Sequence, residues 1–416
     1  MSLPYNIGIY LYRAAIAGAA LKKGKAHLLH RGQLNALRKL RGALSANRPT
    51  DEKWVWIHAA SLGEFEQGRP LIERIRAERP QYKILLTFFS PSGYEVRKDF
   101  PGVDLVTYLP MDTPRNARRF LDIVRPKMAI FVKYEFWGNY LRALKRRGIP
   151  TYIISAIFRP GQIFFKPWGG EFRHILRCFT RLYVQDEASK TLLAGIGVDN
   201  VTVAGDTRFD RVSNITQKLR SVPFIEQMAK DCKHVLVAGS TWPVDETMIA
   251  RWLARRKDVK AIIAPHEFNP ERLRELRNLF GKETTYLLSQ APNAKPENIR
   301  VLIIDSFGLL SSLYHYGTWA YVGGGFGSGI HNINEAAAHG IPVVYGPNNK
   351  KFKEAADLAA CGGGFPLQSV EDFERIANML TADDPTPRTR AAKTAAEYIA
   401  HSVGATDVIF NDLFAR

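Results

Sequence analysis

Cysteine is scarce in this chain, and acidic residues are missing from its beginning. Only three cysteines occur in 416 residues, and their spacing supports neither a disulfide framework nor a cysteine-based zinc site. Their scarcity fits a reducing, cytosolic compartment. With 46% hydrophobic and 24% charged residues, the composition excludes a disordered or collagen-like chain. The length predicts about two to three domains.

The basic charge of the chain is unevenly distributed. The first 50 residues contain nine Lys and Arg and no Asp or Glu, whereas the rest of the chain contains 49 basic and 40 acidic residues. Half of the net charge of +18 therefore falls in the first eighth of the chain. A concentrated basic segment implies an anionic partner, which would be nucleic acid, acidic lipid or a phosphorylated substrate.

The chain begins with an apolar run that is too short to cross a bilayer. Residues 5–21 would form a helix of about 25 Å against a hydrocarbon core of about 30 Å, and Arg13 falls in its middle. The basic residues follow the apolar run, whereas a signal peptide carries its charge first. We interpret the run as a helix in the membrane interface; an ordinary domain helix with a solvated basic tail is the alternative. Tyr5, Tyr10 and Tyr12 would lie at headgroup depth, and Lys22, Lys23 and Lys25 would contact anionic lipid.

Beyond residue 50, short β-branched or aromatic runs alternate with helical stretches. Seven predicted strands precede the polar stretch 206–222, and six follow it. Several are apolar on both faces, which is typical of a buried parallel sheet. The pattern predicts an α/β fold with two doubly wound, Rossmann-like domains facing a central cleft. We expect the segments 1–50, 51–210, 211–395 and 396–416, the last being a C-terminal helix that packs back on the N-terminal domain.

Glu64 follows the first predicted strand in the sequence His58-Ala-Ala-Ser-Leu-Gly-Glu64. The carboxyl end of a strand is a functional position in an open α/β sheet, and a carboxylate there can take a proton from a substrate hydroxyl. The alternative is a glutamate that merely stabilises the start of a helix.

Five glycines lie between Gly323 and Gly329, directly after another predicted strand. A glycine-rich turn that leads into a helix lets main-chain amides approach a phosphate. Asn332 and Glu335 would share one face of the first helical turn, where Glu335 can accept hydrogen bonds from a ribose. We therefore predict phosphate or nucleotide binding here, with a flexible loop as the alternative.

Other candidate residues also follow predicted strands. His266 and the segment Ser306-Phe307-Gly308 would share the crevice of the glycine loop, although a lone His is equally often structural. Glu135 would place a second carboxylate near the cleft. Arg208 suits a developing phosphate charge, with an interdomain salt bridge as the alternative. Because the sequence has no metal-binding motif, we predict no metal.

These motifs, in this order, resemble the 3-deoxy-D-manno-octulosonic acid (Kdo) transferases of lipopolysaccharide synthesis. The resemblance runs through most of the chain, and the ordered set of motifs carries it. The matching segments are Arg31-Gly32, His58-x-x-Ser-Leu-Gly-Glu64, Thr87, Ser90-Pro-Ser-Gly93, Tyr108-Leu-Pro-Met-Asp112, Glu135-Phe-Trp137-x-Asn139, Ser155-Ala156, Arg159, Gly205-x-x-Arg208-Phe-Asp210, Val322-Gly323-Gly324, His331-Asn332-x-x-Glu335-Ala-Ala-Ala-His339-x-Ile-Pro342 and Gly346-Pro347.

The resemblance implies an inverting glycosyltransferase of the GT-B type on the cytoplasmic face of the bacterial inner membrane. CMP-Kdo would be the donor, a lipid A precursor the acceptor, and no cofactor would be needed. Residues 51–210 would bind the acceptor and residues 211–395 the donor. The implied site residues are Glu64 as the catalytic base, Glu135 and Arg208 at the transition state, and His266, Ser306, Phe307, Gly308, Asn332, Ile333, Asn334 and Glu335 in the CMP-binding loops. The residues expected at the acceptor or the membrane are Arg13, Lys22, Lys23, Lys25 and Arg31.

Two other functional classes remain open on the sequence. One is another two-domain nucleotide-sugar enzyme, either an epimerase or a different glycosyltransferase; an epimerase has a soluble substrate and no need for the apolar beginning. The other is a non-catalytic nucleic-acid-binding protein, which the pI of about 9.8 suggests. That class predicts basic residues interleaved with aromatics along one face, whereas here the basic surplus follows an apolar helix. We therefore expect no nucleic-acid partner.

Overall fold

The computed structural model describes residues 3–44, 52–217, 219–230, 232–293 and 295–415, without the side chains of 217, 292 and 293. Arg48 and the expected boundary at residues 50 and 51 lie outside the described residues. The chain divides into a first unit, Met1–Arg211 with Val403–Arg416, and a second unit, Val212–Ser402.

The first unit is built on a parallel sheet of seven strands. Their order is β3-β2-β1-β4-β5-β6-β7, so the chain starts in the middle and winds outward to both edges. All five residues of the fourth strand are buried, as expected of a strand covered on both faces. The strands are β1 (Lys53–Ala59), β2 (Tyr82–Phe88), β3 (Leu105–Tyr108), β4 (Met128–Val132), β5 (Thr151–Ala156), β6 (Arg181–Val184) and β7 (Val201–Val203).

Helices cover both faces of this sheet. Trp56 packs on one face, whereas its neighbours Val55 and Ile57 pack in a separate cluster on the other. The helices are α1 (Leu3–Ala19), α2 (Lys25–Ala43), α3 (Leu62–Glu78), α4 (Pro91–Arg97), α5 (Pro114–Val124), α6 (Gly138–Arg146), α7 (Gly170–Leu176), α8 (Glu187–Ala194) and α9 (Arg208–Gln217).

The second unit repeats the architecture. Its seven parallel strands have the order β10-β11-β9-β8-β12-β13-β14. The last strand is not predicted by the sequence pattern, because its three residues include a Gly and a Pro that weaken the strand signal. The strands are β8 (His234–Thr241), β9 (Val259–Pro265), β10 (Thr285–Leu287), β11 (Val301–Ile303), β12 (Trp319–Val322), β13 (Val343–Tyr345) and β14 (Gly364–Pro366).

The remaining helices complete the α/β layers, and the expected class of two doubly wound sheets is confirmed. Residues 396–416 hold the end of one helix and a second, separate helix that packs on α3 through Ile409 and Phe410. These helices are α10 (Pro223–Lys230), α11 (Pro243–Leu253), α12 (Pro270–Phe280), α13 (Leu310–Leu313), α14 (Asn334–Ala337), α15 (Lys353–Cys361), α16 (Val370–Leu380), α17 (Thr386–Ser402) and α18 (Ala405–Phe414).

The basic segment after the first helix is itself helical. Helix α2 buries Leu29, Ala36 and Leu40 against the first unit. A Cβ atom at Gly32 would lie 2.3 Å from the ring of Tyr108, so the glycine allows the helix to approach the sheet closely. The alternative of a solvated basic tail is therefore wrong for residues 25–43.

Candidate functional site

Glu64 lies in the first turn of helix α3, directly after β1. Its side chain is half-buried, and its Oε2 accepts a hydrogen bond from the hydroxyl of Ser61, the residue before the helix. Its Oε1 accepts no hydrogen bond from a described residue. The carboxylate is thus held from one side and keeps an oxygen that can accept a proton.

Glu135 follows β4 and is joined to the neighbouring strand by a buried histidine. Its Oε2 lies 2.9 Å from Nε2 of His58 and accepts a hydrogen bond of 2.6 Å from Nε1 of Trp137. His58 is fully buried, whereas the Glu135 side chain is 10% exposed. Nε1 of Trp137 also lies 3.2 Å from Nε2 of His58, so the three side chains form one compact group.

The other side of the imidazole is fixed by the sheet. Nδ1 of His58 lies 2.9 Å from Oγ1 of Thr87, which in turn accepts a hydrogen bond of 2.8 Å from Nε1 of Trp56. Side chains from three neighbouring strand ends thereby form one chain of hydrogen bonds that terminates at Glu135. Such a chain fixes the orientation of its last member.

Arg208 lies at the start of helix α9 and is held by Asp206. Its Nε donates to Oδ2 of Asp206 over 2.9 Å, and Nε2 of Gln67 lies 3.1 Å from both carboxylate oxygens. These contacts lie within the first unit.

The phenol of Tyr134 connects these groups electrostatically. Burial raises the pKa of Tyr134; the cations Arg159 and Arg208 lower it, and the carboxylates Glu64 and Asp206 raise it. Two cations and two carboxylates therefore act on one exposed phenol at the carboxyl ends of β1, β4, β5 and β7. Gln67, which lies one turn after Glu64 on α3, contacts Asp206, the partner of Arg208. The structure thus brings the predicted residues Glu64 and Arg208 into one neighbourhood.

Four of the predicted donor-site residues line one cavity in the second unit. His266, Ser306, Phe307 and Gly308 surround a volume of about 270 Å³ at the ends of β9 and β11. Phe268 completes the wall; its ring stacks on that of Phe307 with centroids 4.6 Å apart. Exposed stacked rings beside polar groups suit a flat, polar ligand such as a nucleobase.

His266 is the middle ring of a three-ring cluster. Trp242 stacks on it at 4.8 Å, and His331 lies at 4.5 Å on a ring tilted by 34°. Burial, followed by the charge of His266, lowers the pKa of His331 to about 4. His331 is therefore neutral near pH 7 and can act as a hydrogen-bond partner rather than as a cation.

The other four predicted donor-site residues do not line that cavity. Glu335 is half-buried; its Oε2 accepts from Ser311 over 2.5 Å and its Oε1 from Asn332 over 3.1 Å. Ile333 and Asn334 are buried. The side-chain amide of Asn334 makes no hydrogen bond within the described part of the chain.

Four of the five glycine amides in the glycine loop have acceptors within the protein, and phosphate binding by the loop stays a prediction. The amides of Gly323 and Gly324 already donate to Gly239 O and Asp245 Oδ2, and those of Gly327 and Gly329 donate to Gly324 O. A Cβ atom at Gly323 would lie 2.3 Å from a main-chain oxygen, that of Ser240. These glycines therefore allow close packing of backbone segments, and helix α14 after the loop has only four residues.

The residues expected at the membrane lie on the first two helices and the turn between them. Arg13, Lys22, Lys23 and Lys25 are exposed, and none pairs with a described carboxylate. Arg31 lines a cavity of about 320 Å³ together with Lys39 and Tyr94. Within the described ranges, no helix combines the length and the apolar character that a membrane crossing requires.

The expected position of Tyr5 at headgroup depth is wrong. Its hydroxyl donates to Oδ2 of the buried Asp112 over 2.7 Å and accepts from the amide of Gly138 over 2.8 Å. Helix α1 is thereby attached to the first unit at this end. Tyr10 and Tyr12 remain about half exposed, at 49% and 45%.

No group of three or more His, Cys, Asp or Glu side chains that could hold a metal occurs among the residues described. The absence of a metal from the reaction stays a prediction.

The sequence motifs contain several site residues to which sequence reasoning assigned no role. His58 and Trp137 belong to quoted segments, Tyr134 directly precedes one, and Trp242 follows strand β8. Their position at strand ends is the signal that singles them out. Their partners depend on which strands are neighbours, which the local sequence does not encode.

Comparison with known proteins finds a family match and relatives that carry the same name. Residues 35–211 match the family described as 3-deoxy-D-manno-octulosonic-acid transferase (kdotransferase). A protein of that name from Haemophilus influenzae is 28% identical over 364 residues, 84% of each chain. Another from Aquifex aeolicus is 29% identical over 340 residues, 79% of this chain and 86% of its own.

A solved structure shares the fold at low identity. The UDP-GlcNAc 2-epimerase from Neisseria meningitidis, bound to UDP-GlcNAc, superposes with a TM-score of 0.61 and 16% identity, covering 88% of this chain and 100% of that one. The similarity shows the fold alone. With the two parallel sheets, it confirms the expected GT-B type.

Proposed function

Because the chain belongs to the family of 3-deoxy-D-manno-octulosonic acid transferases, which are glycosyltransferases, we propose that it transfers Kdo from CMP-Kdo to a sugar hydroxyl of a lipid A precursor. The observation that carries this proposal is the similarity to a Kdo transferase over 84% of the chain. The fold likeness to an epimerase does not favour an epimerase, since it comes with 16% identity.

Glu64 is the general base of the proposed reaction. It takes the proton from the acceptor hydroxyl, whose oxygen attacks the anomeric carbon of Kdo. The bond from that carbon to the phosphate oxygen breaks, and CMP leaves with the electron pair. One displacement inverts the configuration at the anomeric carbon. The half-buried carboxylate at the start of α3, with Oε1 accepting from no described residue, supports this role.

Glu135 and Arg208 support the transition state in this proposal. Arg208 carries the positive charge that stabilises the developing negative charge on the phosphate. Its pairing with Asp206 fixes the guanidinium, whose side chain is still 25% exposed. The hydrogen-bonded carboxylate of Glu135 provides a fixed acceptor for hydroxyl groups of the sugar.

The second unit binds CMP in the proposed enzyme. The cavity lined by His266, Ser306, Phe307 and Gly308 takes the nucleotide, and the segment 332–335 supports it from the start of α14. Two hydrogen bonds fix the Glu335 carboxylate, which can accept from a ribose. No metal or other cofactor takes part, since a nucleotide monophosphate is a good leaving group.

The proposed enzyme works at the cytoplasmic face of the bacterial inner membrane. Helix α1 supports this, because the face opposite its packed side exposes Leu3, Ile7, Tyr10 and Leu11. The exposed Lys22, Lys23 and Lys25 follow at the end of that helix. Apolar side chains with adjacent lysines are typical of attachment to anionic lipid.

The test combines transfer with donor binding. The protein is incubated with a CMP-Kdo-generating system and a tetraacyl lipid A precursor, and mass spectrometry detects Kdo on the lipid. Glu64→Gln should lower the transfer rate on the order of 10²- to 10⁴-fold while CMP binding is retained. Glu73→Gln, which changes an exposed carboxylate of the same helix, should transfer at the parental rate.

Two outcomes would contradict the assignment. Parental transfer by Glu64→Gln excludes the base role, and loss of CMP binding places Glu64 in the donor site instead. If the parent protein adds no Kdo to the lipid, the proposed activity itself is wrong.

A further inference from the structure

Helix α1 has two apolar faces, and its inner face reaches the candidate site of the first unit. Tyr5, Ile9, Tyr12 and Ile16 recur with helical spacing, and the two isoleucines are each 8% exposed. The apolar cluster that contains Ile9 and Ile16 also includes Trp137 and Phe89. The helix is therefore part of the unit and not an independent anchor.

Polar contacts fix this helix beside the residues that follow Glu135. The hydroxyl of Tyr5 accepts from the amide of Gly138, and Oδ1 of Asn6 accepts from Nδ2 of Asn139 over 3.0 Å. Gly138 and Asn139 are the third and fourth residues after Glu135 in the chain. The position of α1 is thus defined relative to that carboxylate.

A run of stacked aromatic rings connects α1 with Glu135. The ring of Tyr12 stacks on Phe89 with centroids 6.2 Å apart, and Phe89 stacks on Trp137 at 4.9 Å. Trp137 in turn donates its indole N–H to Oε2 of Glu135 over 2.6 Å. We call Tyr12, Phe89 and Trp137 the aromatic wall.

The end of the aromatic wall carries a free acceptor. Oε2 of Glu135 contacts Nε2 of His58 and accepts a hydrogen bond from Trp137, whereas Oε1 accepts none from the described residues. Burial first, and then the charge of Glu135, raises the pKa of Tyr12. Tyr12 is 45% exposed, and Phe89 and Trp137 are half-buried, so the wall is open to a ligand.

A pyranose ring matches this combination of groups. One face of the ring is made of C–H groups that pack on aromatic rings, and its rim carries hydroxyls that donate to a carboxylate. We propose that a sugar ring of the acceptor lies on the aromatic wall and donates a hydroxyl to Oε1 of Glu135, so that Tyr12 is a positioning residue for the acceptor. This inference rests on the proposed transferase function.

The alternative is that Tyr12 acts only at the membrane, as an interfacial tyrosine. The two roles differ in one respect: a membrane role disappears when the acceptor is soluble, whereas a sugar-binding role does not. A deacylated, water-soluble acceptor disaccharide therefore separates them.

The experiment measures KM for that acceptor and kcat at saturating CMP-Kdo, with no vesicles present. Tyr12→Leu keeps an apolar side chain of similar reach but removes the ring, and should raise KM about fivefold with kcat little changed. Tyr12→Phe keeps the ring and should restore the parental KM. Trp168→Leu removes an aromatic ring that is 72% exposed elsewhere on the first unit and is the control, with parental kinetics.

An unchanged KM in Tyr12→Leu, or equal effects of Tyr12→Leu and Trp168→Leu, would overturn the inference. If the melting temperature of Tyr12→Leu falls, Tyr12→Phe and Phe89→Leu decide whether the ring binds the acceptor. Phe89→Leu should raise KM as Tyr12→Leu does. A parental KM in Phe89→Leu would overturn the inference. If the parent accepts only the acylated lipid, the comparison is made in neutral detergent micelles. A parent inactive on both acceptors contradicts the proposed function rather than this inference.

Discussion

Nε2 of His58 lies 2.9 Å from Oε2 of Glu135, and the two residues come from neighbouring strand ends of the first sheet. The imidazole is fully buried, and its other nitrogen contacts Thr87. The histidine therefore has no access to a substrate, and its effect on one has to pass through Glu135. It is a positioning residue for that carboxylate.

Replacing His58 should impair turnover more than binding. His58→Leu fills the same space but leaves Glu135 without its buried partner, and kcat should fall on the order of 10- to 100-fold, since a small displacement of a site group has such an effect. Acceptor KM should rise less than kcat falls. The unfolding free energy should drop by about 1–3 kcal/mol, because the carboxylate loses a hydrogen bond.

Thr87→Val separates positioning from general destabilisation. It removes the hydroxyl that contacts Nδ1 of His58 and accepts from Trp56, and kcat should fall in the same direction by a smaller factor. Steady-state kinetics and urea denaturation of both variants check this. A parental kcat in a destabilised His58→Leu would show that the pair serves stability alone.

Much of the fold could be predicted because its strands are buried on both faces. β4 (Met128–Val132) is an uninterrupted apolar run, and the pattern places it correctly. Helix α5 has local signals at both ends: Thr113 caps it, Pro114 occupies its first turn and Arg125 ends it with a left-handed conformation.

Helix α2 could not be predicted from local pattern. Its five Lys and Arg occupy the exposed side, and what defines it is a tertiary contact, the approach of Gly32 to the ring of Tyr108. A glycine within a predicted helix ordinarily lowers the stability of the helix. The sequence alone therefore predicts that Gly32 destabilises α2, whereas its packing against the sheet requires it.

The candidate site likewise contains some features that the local sequence predicts and others that depend on tertiary contacts. Glu64 and Glu135 could be singled out because both follow strands, but the pairing of Glu135 with His58 requires β1 and β4 to be neighbours, and two strands separate them in the sequence. Phosphate binding at the glycine loop stays a prediction. The structure explains Gly323 by the approach of a main-chain oxygen, which the local sequence does not encode.

The outer face of α1 should control attachment to lipid vesicles. Ile7 and Leu11 are 50% and 66% exposed. The double variant Ile7→Ser, Leu11→Ser should reduce partitioning onto phosphatidylglycerol vesicles roughly 10- to 100-fold, since each side chain loses apolar burial. Flotation measures the bound fraction, and Val244→Ser, a 50% exposed valine of the second unit, should float like the parent. Equal flotation of the parent and the double variant would contradict membrane attachment through this face.

Gly32 and Gly42 provide a matched pair on helix α2. Gly32→Ala should destabilise the protein by about 1–3 kcal/mol, because the new methyl group would lie 2.3 Å from atoms of the Tyr108 ring. Gly42→Ala meets nothing within 4 Å and should stabilise by about 0.5–1 kcal/mol through helix propensity. Urea denaturation of the two variants measures both changes in the free energy of unfolding. A stabilising Gly32→Ala would mean that α2 does not approach the sheet as closely as this packing requires.

Acidification should destabilise the protein partly through His331. Burial and the neighbouring His266 lower its pKa from 6.5 to about 4, so the unfolded chain binds more protons than the folded one between these values. The free energy of unfolding therefore falls as the pH drops through that window, and the contribution is fully present only above it.

In His331→Gln the melting temperature should depend less on pH over the same range. His27→Gln, which changes an exposed imidazole of helix α2, should keep the parental pH dependence. If the pH dependence of His331→Gln matches that of the parent, protons taken up elsewhere cause the loss of stability, and the stacked cluster of Trp242, His266 and His331 is equally stable at both ends of the range.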